Sequence, residues 1–175
     1  MPTHAEKRHL PYTPDQLYGL VADVERYPDF LPWCVAARIR YRDAGMMLAD
    51  LMIGFRMVRE RFTSKVTLGQ GRIDVVYTEG PFKYLNNHWI FQGTADGGTD
   101  IDFFVDFEFR SKVLQALIGV LFNEAVGLMV ASFEKRARQL YGADGRAPPA
   151  GHPASGTTAG EPSLPLRTPR TVPRE

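Results

Sequence analysis

Four histidines, one cysteine and a run of acids are the side chains in this sequence with the means to do chemistry. His4, His9, His88 and His152 show neither HxxxH nor HxH spacing, and none stands beside a cysteine. That argues against a metal site. His88 has the parity of the outward-facing residues around it, and His152 falls in a proline-rich stretch. Cys34 is the single cysteine. A nucleophilic thiol needs a base and a lowered pKa, and no histidine lies near it in sequence. It reads as a small buried apolar residue. One cysteine also excludes an intrachain disulfide framework or a multi-cysteine zinc site, and it suits a reducing, cytoplasmic compartment. Glycine-rich phosphate loops and a GxSxG elbow are missing from the sequence.

Asp100, Asp102, Asp106 and Glu108 resemble a catalytic cluster until their parity is read. They alternate with Ile101, Phe103, Val105, Phe107 and Phe109, so they belong to the solvated face of a strand. Glu60 differs. It shares the parity of Val58, Phe62 and Val66, which points it inward. A buried carboxylate needs a partner or shifts its pKa upward. Either an interior arginine pairs with it or a bulge near Arg59 turns it out.

The elements that must position these residues follow from periodicity. Thr13, Pro14 and Asp15 make a helix start, with a capping residue, proline in the first turn and an acid behind it. Leu17, Leu20, Val21 and Val24 continue at helical spacing. Pro28 ends this helix or separates it from a short second one, Pro28 to Leu31. Period-two runs follow over Val35–Tyr41, Ala49–Ile53, Val58–Leu68, Ile73–Tyr77, Leu85–Phe91 and Ile101–Phe109. Turn signals punctuate them at Gly54-Phe55-Arg56, Gly69-Gln70-Gly71, Gly80-Pro81 and Asp96-Gly97-Gly98. With a first strand near Thr3 to Leu10, that predicts seven strands in an antiparallel sheet. Ser111 then caps a long helix from Lys112 to about Leu140, on the order of 40 Å. The fold class expected is α+β: a curved antiparallel sheet around a long C-terminal helix, with two short helices after the first strand.

Composition bounds the rest. The chain has 175 residues, 21 basic against 20 acidic, so it has none of the charge bias of a nucleic-acid-coating protein, and DNA is not an expected partner. The first twenty residues mix charge and proline, which is unlike a secretory signal. The apolar runs are interrupted by polar residues, so a transmembrane helix is not expected. Residues 142–175 hold seven of the 13 prolines and five of the 16 glycines, and no aromatic residue. Such a segment buries too little apolar area to offset its chain entropy. The expected organisation is one domain over 1–141 and a disordered tail over 142–175.

Two regional patterns remain. From Arg38 to Arg72 the chain carries eight basic groups against three acids, and from Ile73 to Arg110 two against seven. A basic edge at Arg38, Arg40, Arg56, Arg59 and Arg61 would suit anionic lipid or RNA phosphates; it would equally be an ordinary solvated face. The second pattern is aromatic. Tyr77, Phe82, Trp89, Phe91, Phe103, Phe107 and Phe109 should face the long helix, which offers the small residues Gly119, Ala125 and Gly127. Large and small side chains can interdigitate into a plain core. They can also line an apolar cavity of the kind that takes a lipid.

The string Val21-Ala-Asp-Val-Glu-Arg-Tyr-Pro-Asp-Phe-Leu-Pro-Trp-Cys34 carries a family likeness. So do Glu60-Arg-Phe-Thr-Ser-Lys-Val-Thr-Leu68, Gly80-Pro-Phe82 before Trp89-Ile-Phe91, Phe107-Glu-Phe109, Phe133-Glu-Lys-Arg-Ala137 and Leu140-Tyr-Gly142. Together, over about residues 3–142, they resemble the coenzyme Q-binding proteins of the START-like polyketide cyclase superfamily. That family also includes bacterial ribosome association toxins. The resemblance implies a helix-grip fold, a seven-stranded curved sheet gripping the C-terminal helix around a hydrophobic tunnel. It implies no catalytic residue and no cofactor beyond ubiquinone as a bound ligand.

The expectation is therefore a non-enzymatic domain that binds ubiquinone or another polyisoprenoid lipid in support of respiratory electron transport. The alternative is a toxin that binds the large ribosomal subunit and blocks subunit joining, using the basic edge. A cyclase or hydrolase on the same fold would need an acid/base pair in the cavity, of which Glu60 is half. The residues expected to line the cavity are Trp33, Leu51, Ile53, Phe62, Tyr77, Phe82, Trp89, Phe91, Phe103, Phe107, Leu117, Leu121, Ala125 and Met129. The expected location is cytoplasmic, with peripheral contact at the anionic inner-membrane surface.

Overall fold

The computed structural model describes residues 2–145. Seven strands form one sheet: β1 (Thr3–Leu10), β2 (Cys34–Arg42), β3 (Met46–Phe55), β4 (Val58–Gly69), β5 (Arg72–Glu79), β6 (Phe82–Gly93) and β7 (Thr99–Phe109). The spatial order is β1-β7-β6-β5-β4-β3-β2, and every pairing is antiparallel. Strands β2 to β7 follow one another through short turns. β1 and β2, though consecutive, lie on opposite edges. The chain between them crosses the end of the sheet through α1 (Pro14–Ala22), a 3-10 turn (Val24–Arg26) and α2 (Tyr27–Phe30). The long helix α3 (Lys112–Tyr141) lies across the concave face.

Local chemistry accounts for these boundaries. Thr13 Oγ1 accepts from the Gln16 backbone N–H at 3.2 Å, and Gln16 Oε1 accepts from the Thr13 N–H at 2.9 Å. This reciprocal capping box, with Pro14 in the first turn, satisfies donors that the helix leaves free. Ser111 Oγ does the same for the Leu114 N–H at 3.3 Å. The core lies between the concave face and α3: Met47, Ala49 and Ile73 of the sheet and Ala137 of the helix are fully buried. Cross-strand pairs such as Trp89↔Phe103 and Phe82↔Phe109 bring the large rings onto one face.

Three expectations are corrected. The first helix stops at Ala22, and the short second helix begins at Tyr27 rather than Pro28, because Pro28 is tolerated in a first helical turn. The β3–β4 turn is Arg56-Met57 rather than Gly54–Arg56: β3 continues through Phe55, which pairs with Val58. Two-residue hairpin loops demand positive φ, and Arg56 adopts it at 54°. Tyr12 Oη donates to the Gly142 carbonyl at 2.9 Å, and Gln16 Nε2 donates to the Gly145 carbonyl at 3.0 Å, so residues 142–145 run back onto α1. The rest of the expected tail, 146–175, lies outside the described residues. Finally, α3 is long and apolar enough to cross a membrane by length and composition. Its 30 residues carry few charges ahead of Glu134, and Val113 and Val120 are about four-fifths exposed. Phe122, Val126, Phe133 and Ala137, however, are buried.

Candidate ligand-binding cavity

Between the concave face and α3 lies a partly open cavity of about 240 Å³. Its walls come from every layer. Val21, Val24, Tyr27 and Leu31 close the end under the short helices. Leu51, Ile53, Phe62, Phe82, Trp89, Phe103 and Phe107 form the sheet side, and Ala125 and Met129 the helix side. The rings are locked by edge-to-face and tilted contacts: Phe62 on Phe82 at 5.2 Å between centroids, Phe107 on Phe122 at 5.5 Å, Trp89 on Phe103 at 4.4 Å and on Phe133 at 5.2 Å. Such pairs hold a wall in place beyond what burial alone gives. Both tryptophans of the chain, Trp33 and Trp89, line the space.

Two polar side chains stand out in this lining. Asn87 is occupied: its Nδ2 donates to the Phe104 carbonyl at 2.7 Å, and its Oδ1 accepts from Trp89 Nε1 at 3.0 Å. Ser64 is not. It is fully buried on the same face as Phe62 and Val66, and its Oγ has no protein hydrogen-bond partner. Tyr27, also in the wall, donates its hydroxyl to the Val21 carbonyl, and burial raises its pKa.

Four of the residues expected to line the cavity do not. Phe91 is buried beyond Trp89, where Tyr18 of α1 meets it at 5.7 Å; α1 covers that end of β6, as the approach of Pro14 to Gly93 shows. Tyr77 packs its ring against Phe82 and donates its hydroxyl to the Gly80 carbonyl at 2.7 Å. Leu117 and Leu121 lie off the inward stripe of α3, which runs through Ile118, Phe122, Ala125, Val126, Met129 and Phe133. Gly119 and Gly127 are exposed, with nothing within 4 Å of a Cβ placed there, so they open no space in the cavity. The first part of α3 is apolar on every side, and periodicity therefore cannot tell its inner face from its outer one. The sequence reading also missed Ser64, Ile73, Val75, Leu85 and Val105, and it placed Phe109 in the helix-facing row without naming it for the cavity. All share a face with named neighbours at spacing two, and that parity was the available signal.

The basic edge is not one free surface. Arg38, Arg40 and Arg61 converge on Asp50, at 3.2, 2.8 and 3.1 Å, and Thr63 donates to its other oxygen at 2.7 Å. Asp50 lies on the outer face yet is only 5% exposed, because the arginines roof it. Burial opposes its ionisation, but the bonds from Thr63 and the three arginines outweigh that and hold its pKa well below the usual carboxylate range. Arg56 lies on the other side of the sheet edge and binds Glu124 of α3 at 3.1 Å. Arg59 is exposed and makes no ion pair among the described residues.

The other candidate groups fall away from the cavity. Cys34 is buried, and burial pushes its thiol up to about 11, so it stays protonated. Glu60 is half-buried opposite Ile53 and outside the lining. His4 sits between Phe103 and Phe122 and meets Glu6 at 3.0 Å; Glu6 binds Arg8, which binds Glu134 of α3. That chain ties the β1 edge to the helix. Among the described residues, no group of three or more His, Cys, Asp or Glu is placed to hold a metal.

Comparison with known proteins fits this geometry. The family model described as polyketide cyclase / dehydrase and lipid transport matches residues 10–134. The ribosome association toxin RatA of Rickettsia prowazekii is 40% identical over 136 residues, covering 75% of this chain and 92% of that protein. The mitochondrial coenzyme Q-binding protein COQ10 homolog B of Xenopus laevis is 35% identical over 144 residues, covering 79% of this chain and 59% of that protein. Among solved structures, an 18 kDa protein of Caulobacter crescentus is 40% identical, with a TM-score of 0.67 over 82% of this chain and all of the other. The match spans most of the domain and includes the strands and helix that build the cavity, so this chain belongs to the START-like polyketide cyclase / dehydrase and lipid transport family.

Proposed function

We propose that the protein binds the ring of a quinone, ubiquinone by preference, in the cavity under α3, without transforming it. The observation that carries this reading is the cavity itself: about 240 Å³, walled by aromatic and aliphatic side chains. A dry apolar cavity of about 150 Å³ takes a benzene-sized ring. One of 240 Å³ suits a substituted ring, and a polyprenyl tail must then lie outside it. No carboxylate, imidazole or amine stands in the lining among the described residues, so the walls supply burial and shape rather than acid/base chemistry. The name of the Xenopus relative, a coenzyme Q-binding protein, agrees. A carrier of such a lipid works at a membrane surface. The exposed Val113 and Val120 of α3, with Met57 on the β3–β4 turn, are the apolar side chains available for peripheral contact there.

The two wall tryptophans make the test direct. Titration with a short-chain ubiquinone should quench their fluorescence saturably at one ligand per chain. Absence of saturable quenching, with no quinone found by native mass spectrometry of the purified protein, would overturn the reading.

A second reading has its own support. Relatives at 40% and 35% identity, matched over 92% and all of their lengths, are named ribosome association toxins. Under this reading the protein binds the large ribosomal subunit through the outer face around Arg59, and the cavity is incidental. Cosedimentation with purified large subunits, weakening steeply with salt, would favour it.

A further inference from the structure

We infer that Ser64 is the polar anchor of the cavity, and that the ligand it selects is an apolar ring bearing a carbonyl or hydroxyl oxygen directed at the sheet. This inference rests on the cavity reading above and adds the orientation of the ligand to it.

The Ser64 hydroxyl is out of place among its neighbours. Ser64 sits in the middle of β4, paired with Ala49 of β3 and Tyr77 of β5. Its neighbours two residues away, Phe62 and Val66, are apolar and line the cavity with it. Its exposure is 0%, and its Oγ finds no partner in the protein. A buried hydroxyl without a hydrogen bond is destabilising, and native interiors rarely leave one so. Asn87 and Tyr27 of the wall are already engaged, Asn87 through the Phe104 carbonyl and Trp89, and Tyr27 through the Val21 carbonyl. Ser64 thus offers unused hydrogen-bonding capacity on the cavity wall.

The surroundings select the partner. A serine hydroxyl donates to a carbonyl and accepts from a hydroxyl, so it serves a ring ketone and its reduced phenol alike. No side-chain charge faces it from the lining, which disfavours an ionised headgroup. Ala49, paired with it on β3, is small and fully buried. The ring enters oxygen-first, against Phe62, Phe82 and Phe107, and its substituent points away from the sheet.

The experiment compares two probes on the full chain, decylubiquinone and decylbenzene. They share the tail, and only the first carries ring oxygens. Binding is measured by calorimetry and by the ligand-induced rise in melting temperature, for the wild type and for Ser64→Ala. The anchor predicts that Ser64→Ala weakens decylubiquinone roughly ten-fold and leaves decylbenzene unchanged. It also predicts that the ligand-free variant melts no lower than the wild type, since an unpaired hydroxyl has been removed. Equal binding of decylubiquinone by both proteins would overturn the anchor and leave the cavity reading standing, as when an ordered water satisfies Ser64. An equal loss for both probes would also overturn it, by showing an effect of shape. Failure of the wild type to bind either probe would overturn the cavity reading together with the anchor.

Discussion

Arg56, at the tip of the β3–β4 hairpin, holds both carboxylate oxygens of Glu124, midway along α3, at 3.1 and 3.2 Å. The pair ties the far end of the hairpin to the helix that covers the cavity, one residue from the wall residue Ala125. It is more than half exposed on average, so its contribution to stability is small, below about 1 kcal/mol. Its effect should be kinetic. Glu124→Gln is expected to leave the melting temperature within a few degrees of the wild type and to speed release of a bound quinone several-fold, read by recovery of tryptophan fluorescence. Unchanged release would show that α3 does not move there to admit ligand.

Ala125 lines the cavity from the helix side. Ala125→Phe fills space that a ligand would occupy. Quinone binding should fall at least ten-fold, while the ligand-free protein should keep its stability or gain some, because added apolar area replaces a void. A closely packed core would respond in the opposite sense, losing about 1–3 kcal/mol. Denaturant unfolding and a binding titration on one variant separate the two.

Asp50 gathers three arginines and one threonine. Asp50→Asn keeps the shape and removes the charge. Unfolding should show a loss of about 1.5–3 kcal/mol, the range for hydrogen bonds to a charged group. The same change frees Arg38, Arg40 and Arg61 on the outer face. If that face meets ribosomal RNA, cosedimentation should rise and its salt dependence steepen; a fall would mean that the arrangement of the arginines, not their charge, is what RNA reads.

The same cluster sets an acid limit. The folded pKa of Asp50 lies below its ordinary value of 3.8, so the unfolded chain binds the proton more readily. The stability contributed is complete above about pH 4 and is lost as pH falls further. Urea unfolding of the wild type and of Asp50→Asn should therefore differ at pH 6 and converge toward pH 2. A gap that stays constant over this range would locate the effect in packing rather than in charge.

Parity made much of the fold legible. The alternation of Ile101, Phe103, Val105, Phe107 and Phe109 with acids places a strand and its two faces together, since successive side chains must point in opposite directions. Thr13 and Ser111 mark helix starts because a side-chain oxygen is what the first free N–H groups need. Parity also placed Trp89, Phe103 and Phe107 on the concave face.

What parity and periodicity could not supply was decided in three dimensions. α3 is apolar around its circumference in its first turns, so only docking against the sheet chose Ile118, Phe122, Ala125 and Met129 over Leu117 and Leu121. Phe91 shares its strand face with Trp89, and only the crossing of α1 over that end removed it from the cavity. Asp50 looked like any outward acid, until β2, β3 and β4 aligned Arg38, Arg40 and Arg61 around it. Parity put Ser64 on the inward face, but nothing in the sequence marked its hydroxyl as unpaired. A serine in a strand is ordinary, and its hydroxyl becomes informative only when packing has withdrawn every partner from it. Local chemistry thus determined which elements form and which way their side chains alternate; long-range packing determined which of those side chains share a space, because that depends on contacts between residues far apart in the chain.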